Sequence, residues 1–262
     1  MYNLDGGTLS VYGGFSSGSG SSQLNLGGGT FQARNPYTVN VNTTLVTGTN
    51  SSIDTNSQTL GWSAAIGGAG NLTKIDVGTL TLTGADTESG NLTVSGGTLV
   101  LDGPSTSTGN VILDNGGTLA LNYGGNATAS ALGTGSLIIN GGNLDNTSGS
   151  ALTLATNNTQ IWNSSFTFTG TNSLSFGTGA VTLGSSPTVT VNAGNLTAGA
   201  IGGSGFGLTK SGAGTLTLGA PSYTGGTTVT GGTLAFTGSL SNGNTTVTGS
   251  NSFLTVSSNF LA

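Results

Sequence analysis

Residues 207–236 read GLTKSGAGTLTLGAPSYTGGTTVTGGTLAF, and this stretch decides the fold. It contains little besides Gly, Thr and evenly spaced aliphatic residues, and its only charged side chain is Lys210. In GTLTLG (214–219) aliphatic residues alternate with Thr, which is the period of a β-strand that buries one face. The glycines between such segments supply the positive φ angles that tight corners require. The stretch therefore predicts short strands joined by corners.

The same alternation extends along nearly the whole chain of 262 residues. Segments such as NLTVSGGTLVLD (91–102) and AVTLGSSPTVTVNAG (180–194) repeat it, with Gly, Asn and Ser at the interruptions. No segment carries the i, i+3, i+4, i+7 spacing of an amphipathic helix. We therefore expect an all-β fold without significant helix. Because no linker or shift of composition divides the chain, we expect a single domain over residues 1–262.

A short tag, Gly-Gly followed by Thr or Asn and then by Leu or Phe, recurs along the chain. Its Thr or Asn positions are separated by 22, 68, 20, 25 and 90 residues, which approximate whole multiples of about 22. A strand-rich repeat of this length with glycine corners is typical of a β-solenoid, or parallel β-helix. We expect about 11–12 coils and, at ~4.8 Å per coil, a rod roughly 55 Å long. The tagged positions are Thr8, Thr30, Thr98, Thr118, Asn143 and Thr233.

A longer repeat is superimposed on the coil repeat. Residues 66–103 match residues 201–238, about 135 positions later, with one single-residue slip. In a solenoid the inward aliphatic side chains of one coil stack on those of the next, and outward Thr residues add β propensity without charge. The residues expected in these inward columns are Leu72, Leu80, Leu82, Val94 and Leu99 in the first copy and Leu208, Leu216, Leu218, Val229 and Leu234 in the second.

The second copy has a specific resemblance to a known repeat. LTKSGAGTLTL (208–218), YTGGTTV (223–229) and GTL (232–234) resemble the autotransporter-associated β-strand repeat, also called the passenger-associated repeat. The resemblance implies a right-handed parallel β-helix that is secreted and displayed at a bacterial cell surface. Neither the translocator of that family nor a signal peptide or anchoring tail is recognised in the sequence. We therefore expect the chain to be a fragment of a longer surface protein.

The first copy follows the same pattern with two departures. Asp76 stands where the second copy has Gly212, and Glu88 stands where it has Tyr223. We expect these positions to do no more than shape a turn.

Composition excludes several classes of partner. Only 4% of residues are charged, against roughly 25% in an average globular protein, and the net charge is −5. The three basic residues, Arg34, Lys74 and Lys210, cannot form the footprint that nucleic acid or an anionic membrane surface requires. No apolar run approaches the roughly 20 residues of a membrane-spanning helix. We therefore expect no nucleic-acid partner.

The inventory of side chains leaves little for catalysis. Without His or Cys the chain has no Ser-His-Asp triad, no Cys-His pair and no usual zinc site. Asp54 and Asp76 are 22 residues apart, so they could stack on adjacent coils, and Asp102 could continue the row toward a pair able to hydrolyse a glycosidic bond. Turn-like contexts instead favour Asp residues that cap their own backbone. We assign no catalytic residue; the other acids are Asp5, Asp86, Glu88, Asp114 and Asp145.

No metal or cofactor site is predicted either. Residues 67–76, GGAGNLTKID, are superficially similar to a calcium-binding nonapeptide, but Leu72 stands where the ligand Asp is needed. The segment is therefore interpreted as a glycine-rich corner. The glycine-rich nucleotide-binding motifs fail because both need a helix after the glycines.

Five side chains invite a binding role. Lys74 and Lys210 occupy equivalent repeat positions and could contact an acidic glycan, but we expect each to lie over a coil edge, where it is solvated or pairs with a carboxylate such as that of Asp76. Trp62, Trp162 and Tyr223 could stack on sugars, but core or corner positions are expected for them. Ligand-binding residues stay unassigned.

The leading hypothesis is a rigid stalk or display scaffold on the cell surface. An adhesin that binds glycans or neighbouring cells along one face is the alternative, and apolar patches or aromatic rows on that face would favour it. Thr-x-Thr pairs such as Thr79/Thr81 and Thr228/Thr230 suggest ice binding, but they are irregular in the sequence. A polysaccharide-degrading enzyme requires clustered carboxylates. Residues 250–262 still alternate like a strand without a polar cap, so we expect end-to-end self-association.

Overall fold

A computed structural model describes residues 1–17, 22–240 and 244–257. Within these ranges the chain forms 31 short strands and no helix, which confirms the all-β prediction. The strands are β1 (Tyr2–Leu4), β2 (Thr8–Val11), β3 (Gln23–Leu26), β4 (Thr30–Ala33), β5 (Tyr37–Val39), β6 (Asn42–Leu45), β7 (Asn50–Asp54), β8 (Thr59–Trp62), β9 (Ile66–Gly68), β10 (Asn71–Ile75), β11 (Thr79–Leu82), β12 (Leu92–Val94), β13 (Gly97–Leu101), β14 (Val111–Leu113), β15 (Gly117–Leu121), β16 (Leu137–Ile139), β17 (Asn143–Asp145), β18 (Leu152–Thr153), β19 (Gln160–Trp162), β20 (Phe166–Phe168), β21 (Leu174–Ser175), β22 (Val181–Leu183), β23 (Thr188–Val191), β24 (Asn195–Thr197), β25 (Ile201–Gly202), β26 (Leu208–Ser211), β27 (Thr215–Leu218), β28 (Thr227–Val229), β29 (Gly232–Phe236), β30 (Thr245–Val247) and β31 (Ser252–Val256).

The strands form three faces of a solenoid, and the chain visits them in a fixed order. Face A consists of a four-stranded sheet, β1-β3-β6-β9, and a six-stranded sheet, β18-β21-β24-β27-β29-β31, both of which follow face C and precede face B along the chain. Face B is the ten-stranded sheet β2-β4-β7-β10-β12-β14-β16-β19-β22-β25. Face C is the eleven-stranded sheet from β5 to β30. All strand pairs are parallel, because each strand pairs with its counterpart one coil away.

The predicted parallel β-helix is confirmed, with about 12 turns of about 21 residues. Leucines stack in register from coil to coil along face C, from Leu60 to Leu80, Leu99 and Leu119. All ten residues expected in the inward columns are buried, none more than 2% exposed. These columns merge into a single apolar cluster that contains Trp62, Trp162 and Tyr223 as well, in agreement with the core positions expected for the three aromatic residues.

The two sheets of face A are separated by coils whose third side carries no regular strand. Asp86 forms a parallel bridge with Ser105, and backbone hydrogen bonds continue from Ile66 to Thr87 (2.8 Å) and from Asp86 to Thr106 (2.9 Å). The ladder between coils is therefore maintained where the strand assignment lapses.

The tag positions do not keep to one face, which corrects the assumption that their spacings are whole coils. Thr8 and Thr30 are in register on face B, Thr98 and Thr118 are in register on face C, and Thr233 lies on face A. The gaps of 68 and 90 residues therefore each span whole coils plus one additional face. Coil length varies enough to allow this.

The two long repeat copies are rotated against each other by one face. In the first copy LTK lies on face B (β10) and GTLTL runs into face C (β11). In the second copy LTK lies on face C (β26) and GTLTL runs into face A (β27). Six steps along face B separate β10 from β25, and β26 is the next face, so the copies are six coils and one face apart.

The strand expected within residues 250–262 is found as β31, and residues 258–262 lie outside the described part. β30 and β31 are the last strands that the structure describes on faces C and A. End-to-end self-association stays a prediction, and sedimentation of the 262-residue chain at micromolar concentration would test it: a monomer alone would show it to be wrong. Over the described residues, no helix is long and apolar enough to cross a membrane.

Candidate functional site

Lys74 lies inside the solenoid at a corner, where its side chain is fully buried. It follows Leu72 at the period of the strand, so both side chains point inward from β10. Its Nζ donates hydrogen bonds to three backbone carbonyl oxygens, those of Ile75 (2.8 Å), Asp76 (2.6 Å) and Gly96 (3.1 Å). The first two lie on its own coil and the third on the next, so the ammonium group joins two successive coils at the corner.

Lys210 repeats this arrangement in the second copy. Its side chain is fully buried, and Nζ donates to the carbonyl oxygens of Ser211 (2.7 Å), Gly212 (2.8 Å) and Gly231 (3.0 Å). We call each of these arrangements a lysine corner. An ammonium group has three donors and no acceptor, so three converging carbonyl groups satisfy it completely.

The expectation that both lysines lie over a coil edge, paired with a carboxylate or solvated, is wrong. Their partners are neutral backbone carbonyls that tight corners direct inward, and this supply of acceptors makes burial of the charge tolerable. Burial lowers the pKa of Lys210 to about 8. It also lowers the pKa of Lys74 to about 8, against the opposing effect of the Asp76 and Asp54 carboxylates. Both amines are therefore mainly protonated at neutral pH.

The predicted row of Asp54, Asp76 and Asp102 does not form. Asp54 is in register with Ile75, one residue short of Asp76, and Asp102 follows β13 on face C rather than face B. Asp54 instead accepts hydrogen bonds from Gln32 Nε2 (2.6 Å) and from its own turn at the Asn56 amide (2.7 Å).

Asp76 caps its own turn, as turn-like contexts predict. Its φ angle is +60°, and its Oδ1 accepts a hydrogen bond from the Val77 amide (2.7 Å). The acids weighed as a catalytic row are thus engaged in local structure.

A different pair of acids is brought together, and sequence reasoning missed it. Asp86 and Glu88 point inward from the third side of their coil, and each is only 6% exposed. Asp86 Oδ1 accepts a hydrogen bond from the Ile66 amide (3.1 Å), and Glu88 bonds to the Ser107 side chain of the next coil. Glu88 Oε2 has no hydrogen-bond partner within the described ranges. We call these two residues the acid pair.

The acid pair holds protons at neutral pH. Burial, and to a smaller extent the neighbouring Glu88, raises the pKa of Asp86 to about 8. Burial also raises the pKa of Glu88. Such shifts occur at catalytic sites, but the pair is enclosed between coils and no substrate can reach it without opening the solenoid. The signal in the sequence was its phase, since Asp86 and Glu88 alternate with outward Thr87 as buried strand positions do.

The remaining candidates for metal or ligand binding lie in the scaffold. Leu72, in the glycine-rich segment once compared with a calcium motif, is an inward core residue. Within the part of the chain that the structure describes, no group of three or more His, Cys, Asp or Glu residues could hold a metal ion.

Outward side chains form rows along the faces, and one row on face B changes character. It runs through Thr73 and Thr93 and then continues as Ile112, Ile138 and Ile161, each in register with the next and each partly exposed. Three aliphatic side chains therefore form a stripe in an otherwise hydroxyl-bearing row.

A shallow groove of about 440 Å³ opens on face C. Its lining is polar and uncharged and includes Asn143, Ser165, Thr167, Thr188 and Thr190. The groove is a concave surface that a neutral, hydrogen-bonding ligand can contact.

Comparison with known proteins identifies the repeat. No curated protein and no solved structure matches the chain. The family model described as Passenger-associated-transport-repeat matches residues 72–101 and 208–236, the two segments that contain the lysine corners. The chain therefore carries two copies of the passenger-associated-transport repeat, a repeat of autotransporter passengers that implies a secreted or cell-surface protein.

Proposed function

We propose that this chain is a structural module of a secreted bacterial surface protein and acts as a rigid stalk or display scaffold. The observation that carries the proposal is the uninterrupted ladder of face C, in which eleven parallel strands pair from β5 to β30. A solenoid of this kind gains its stability from contacts between neighbouring coils, so its length can grow without a change of design.

The interior supports a rigid rod. Inward columns such as Leu60, Leu80, Leu99 and Leu119 are fully buried and in register, so bending would separate packed side chains on one side. The lysine corners add polar connections between coils at two heights of the rod. Neither feature faces solvent, and this suits a part whose role is to span distance.

Rigidity can be measured directly because the sequence contains no Cys. We would place spin labels at Thr59→Cys and Thr190→Cys, two outward positions in one register row of face C, six coil steps apart. Double electron–electron resonance should give one narrow distance distribution near ~29 Å. The same labelled chain in denaturant is the control and should give a broad distribution. A broad distribution for the folded chain would contradict the scaffold role.

Location requires a separate experiment. Antibodies raised against the folded chain should label intact cells that express the natural gene, and sequencing the DNA on both sides should identify an export signal and an anchoring segment. Labelling that requires permeabilised cells would rule out a surface scaffold.

An adhesin is the second candidate, and the stripe of Ile112, Ile138 and Ile161 favours it. Partly exposed aliphatic residues in one row are the feature that separates a contact surface from an inert rod. Binding of other cells by the purified chain, lost in a variant with Thr at these three positions, would support this role.

A further inference from the structure

Five successive coils of face C present a two-column array of hydroxyl groups. One column runs through Thr188, Thr209 and Thr228, and the other contains Thr167, Thr190 and Ser211, with each residue in register with the next. Each coil contributes one residue to each column, two positions apart in the chain. The five pairs, which we call the hydroxyl array, are Ser165/Thr167, Thr188/Thr190, Thr209/Ser211, Thr228/Thr230 and Thr246/Thr248.

The array is regular because the strand backbone makes it so. Neighbouring coils are ~4.8 Å apart, and residues two apart on a strand are about 6.6–6.8 Å apart on the same side. The residue between the columns points inward in each coil and is buried in Phe166, Val189, Lys210 and Val229. Every member of the array is partly or fully exposed. The unequal spacing of the pairs along the chain concealed this regularity in the sequence.

No charge lies near the array. After Asp145 the only charged side chain in the sequence is Lys210, which is fully buried with its ammonium group bonded to three carbonyls. The groove on face C overlaps the first coils of the array, since Ser165, Thr167, Thr188 and Thr190 line it. The surface therefore offers hydroxyl donors and acceptors and Thr methyl groups, and no charge.

We propose that the hydroxyl array binds an uncharged polysaccharide that lies along the solenoid axis. The ligand must be neutral, because an anionic or cationic chain would lose hydration without gaining an opposite charge. It must be rich in hydroxyl groups, because each array hydroxyl that is covered has to find a partner or its desolvation weakens binding. It must be extended and repetitive, because the array repeats over five coils.

A protein partner fits this surface less well. Protein interfaces concentrate binding energy in aromatic residues, Met and Arg, and none of these belongs to the array. An extended glycan presents ring hydroxyls for the Thr and Ser side chains and apolar C–H groups for the Thr methyls. The proposal makes the adhesin role specific to one face and does not depend on the scaffold role, which is tested by rigidity rather than by binding.

The experiment is affinity electrophoresis of the 262-residue chain in native gels containing hydroxyethyl cellulose, mannan, dextran or polygalacturonate. We expect retardation by at least one of the three neutral glycans and none by the acidic polygalacturonate. The triple variant Thr188→Val/Thr209→Val/Thr228→Val removes three hydroxyl groups from one column and keeps β-branched side chains. It should lower the affinity about ten-fold.

The matched control is Thr73→Val/Thr93→Val, which removes a register pair of outward hydroxyls from face B and should leave binding unchanged. If the triple variant does not fold, salt dependence of the unmodified chain decides: raising salt from about 0.05 to about 0.5 M should change the affinity less than about two-fold, because no charge is involved. Retardation by polygalacturonate alone, equal binding by both variants, or no retardation by any neutral glycan would overturn the proposal. So would thermal hysteresis without glycan binding, which would assign the array to ice.

Discussion

The two repeat copies use one motif on different faces of the solenoid. Lys74 on face B and Lys210 on face C each donate three hydrogen bonds to corner carbonyls, and the following GTLTL segment supplies inward leucines in both copies. The motif therefore specifies a strand, a corner and a second strand as a local unit. It does not specify which face that unit occupies.

The copies differ where the coil turns next. The first buries the carboxyl groups of Asp86 and Glu88, and at the same offset the second buries Pro221 and Tyr223. The Tyr223 hydroxyl lies 2.6 Å from Thr227 Oγ1, so copy two fills this corner with a ring and a neutral hydrogen bond. Copy one fills it with two acids that must stay protonated. The shared lysine corner is thus the constant element of the repeat, and the second corner is variable.

The largest difference between the copies should follow from exchanging their corner residues. Gly212 has a φ angle of +77°, and a Cβ there would clash with the carbonyl oxygen of Val191 on the preceding coil. We expect Gly212→Asp to lower the free energy of unfolding by about 3 kcal/mol, through left-handed backbone strain and displacement of that coil. Urea unfolding of purified chains would measure it.

The matched substitution is Asp76→Gly in the first copy. Asp76 already has φ +60°, and the preceding coil turns at Asn56 and Ser57, which also have positive φ, so the side chain has room. The change should be neutral or stabilise the chain by up to about 1 kcal/mol. Equal destabilisation by the two substitutions would show that the corners are not different in this way.

The next test asks whether the lysine corners are equivalent. Lys74→Met and Lys210→Met keep the apolar stem and remove the ammonium group, which leaves three corner carbonyls without their donor. Each should lower the free energy of unfolding by about 2–3 kcal/mol, by nearly the same amount in the two copies. Thermal and urea unfolding would measure both.

The control for the lysine corners is Asp76→Asn, which removes the nearest carboxylate and keeps the cap. It should cost less than about 0.5 kcal/mol. A much larger loss for Lys74→Met than for Lys210→Met would mean that Asp76 and Asp54, not the carbonyls, hold the first lysine.

Sequence alternation predicted the columns and also contained the buried charges. Lys74 is in phase with Leu72, and Asp86 and Glu88 are in phase with each other, so period 2 places all of them inward. Burial of a charge depends on acceptors such as the Gly96 carbonyl, which belongs to another coil and cannot be seen in a local pattern. The face occupied by each copy was not predictable, because coil length varies.

Register pairs give the extent of that variation. Lys210 pairs with Val229, 19 residues later, whereas Val111 pairs with Leu137, 26 residues later. A spacing read from the sequence therefore fixes the number of coils approximately and the face not at all. For the same reason the hydroxyl array of face C could not be recognised before the register was known.

The acid pair should give the first copy a pH dependence that the second lacks. Burial, with a smaller effect of Glu88, raises the pKa of Asp86 to about 8, so the folded chain keeps a proton that the unfolded chain releases near pH 4. Stability should be highest in acid and fall as pH rises toward 8, by up to about 1.4 kcal/mol per pH unit for each such proton.

The lysines act in the opposite sense at higher pH. With folded pKa values of about 8, Lys74 and Lys210 lose protons that the unfolded chain keeps to about pH 10, so stability should rise again above pH 8. Melting temperatures from pH 4 to 10 should therefore pass through a minimum near 8. Asp86→Asn/Glu88→Gln should flatten the acid limb and leave the alkaline limb. An unchanged acid limb would show that the pair does not titrate in this range.

The smallest expected effect concerns the neutral corner of the second copy. Tyr223→Phe keeps the buried ring and removes the hydroxyl that bonds to Thr227, so we expect a loss of about 1 kcal/mol that does not change with pH. Urea unfolding at pH 5 and pH 8 would check both statements. Because the ring stays packed, a loss above about 3 kcal/mol would mean that the hydroxyl organises the corner itself. The tyrosine would then be as essential to copy two as the lysine is to both.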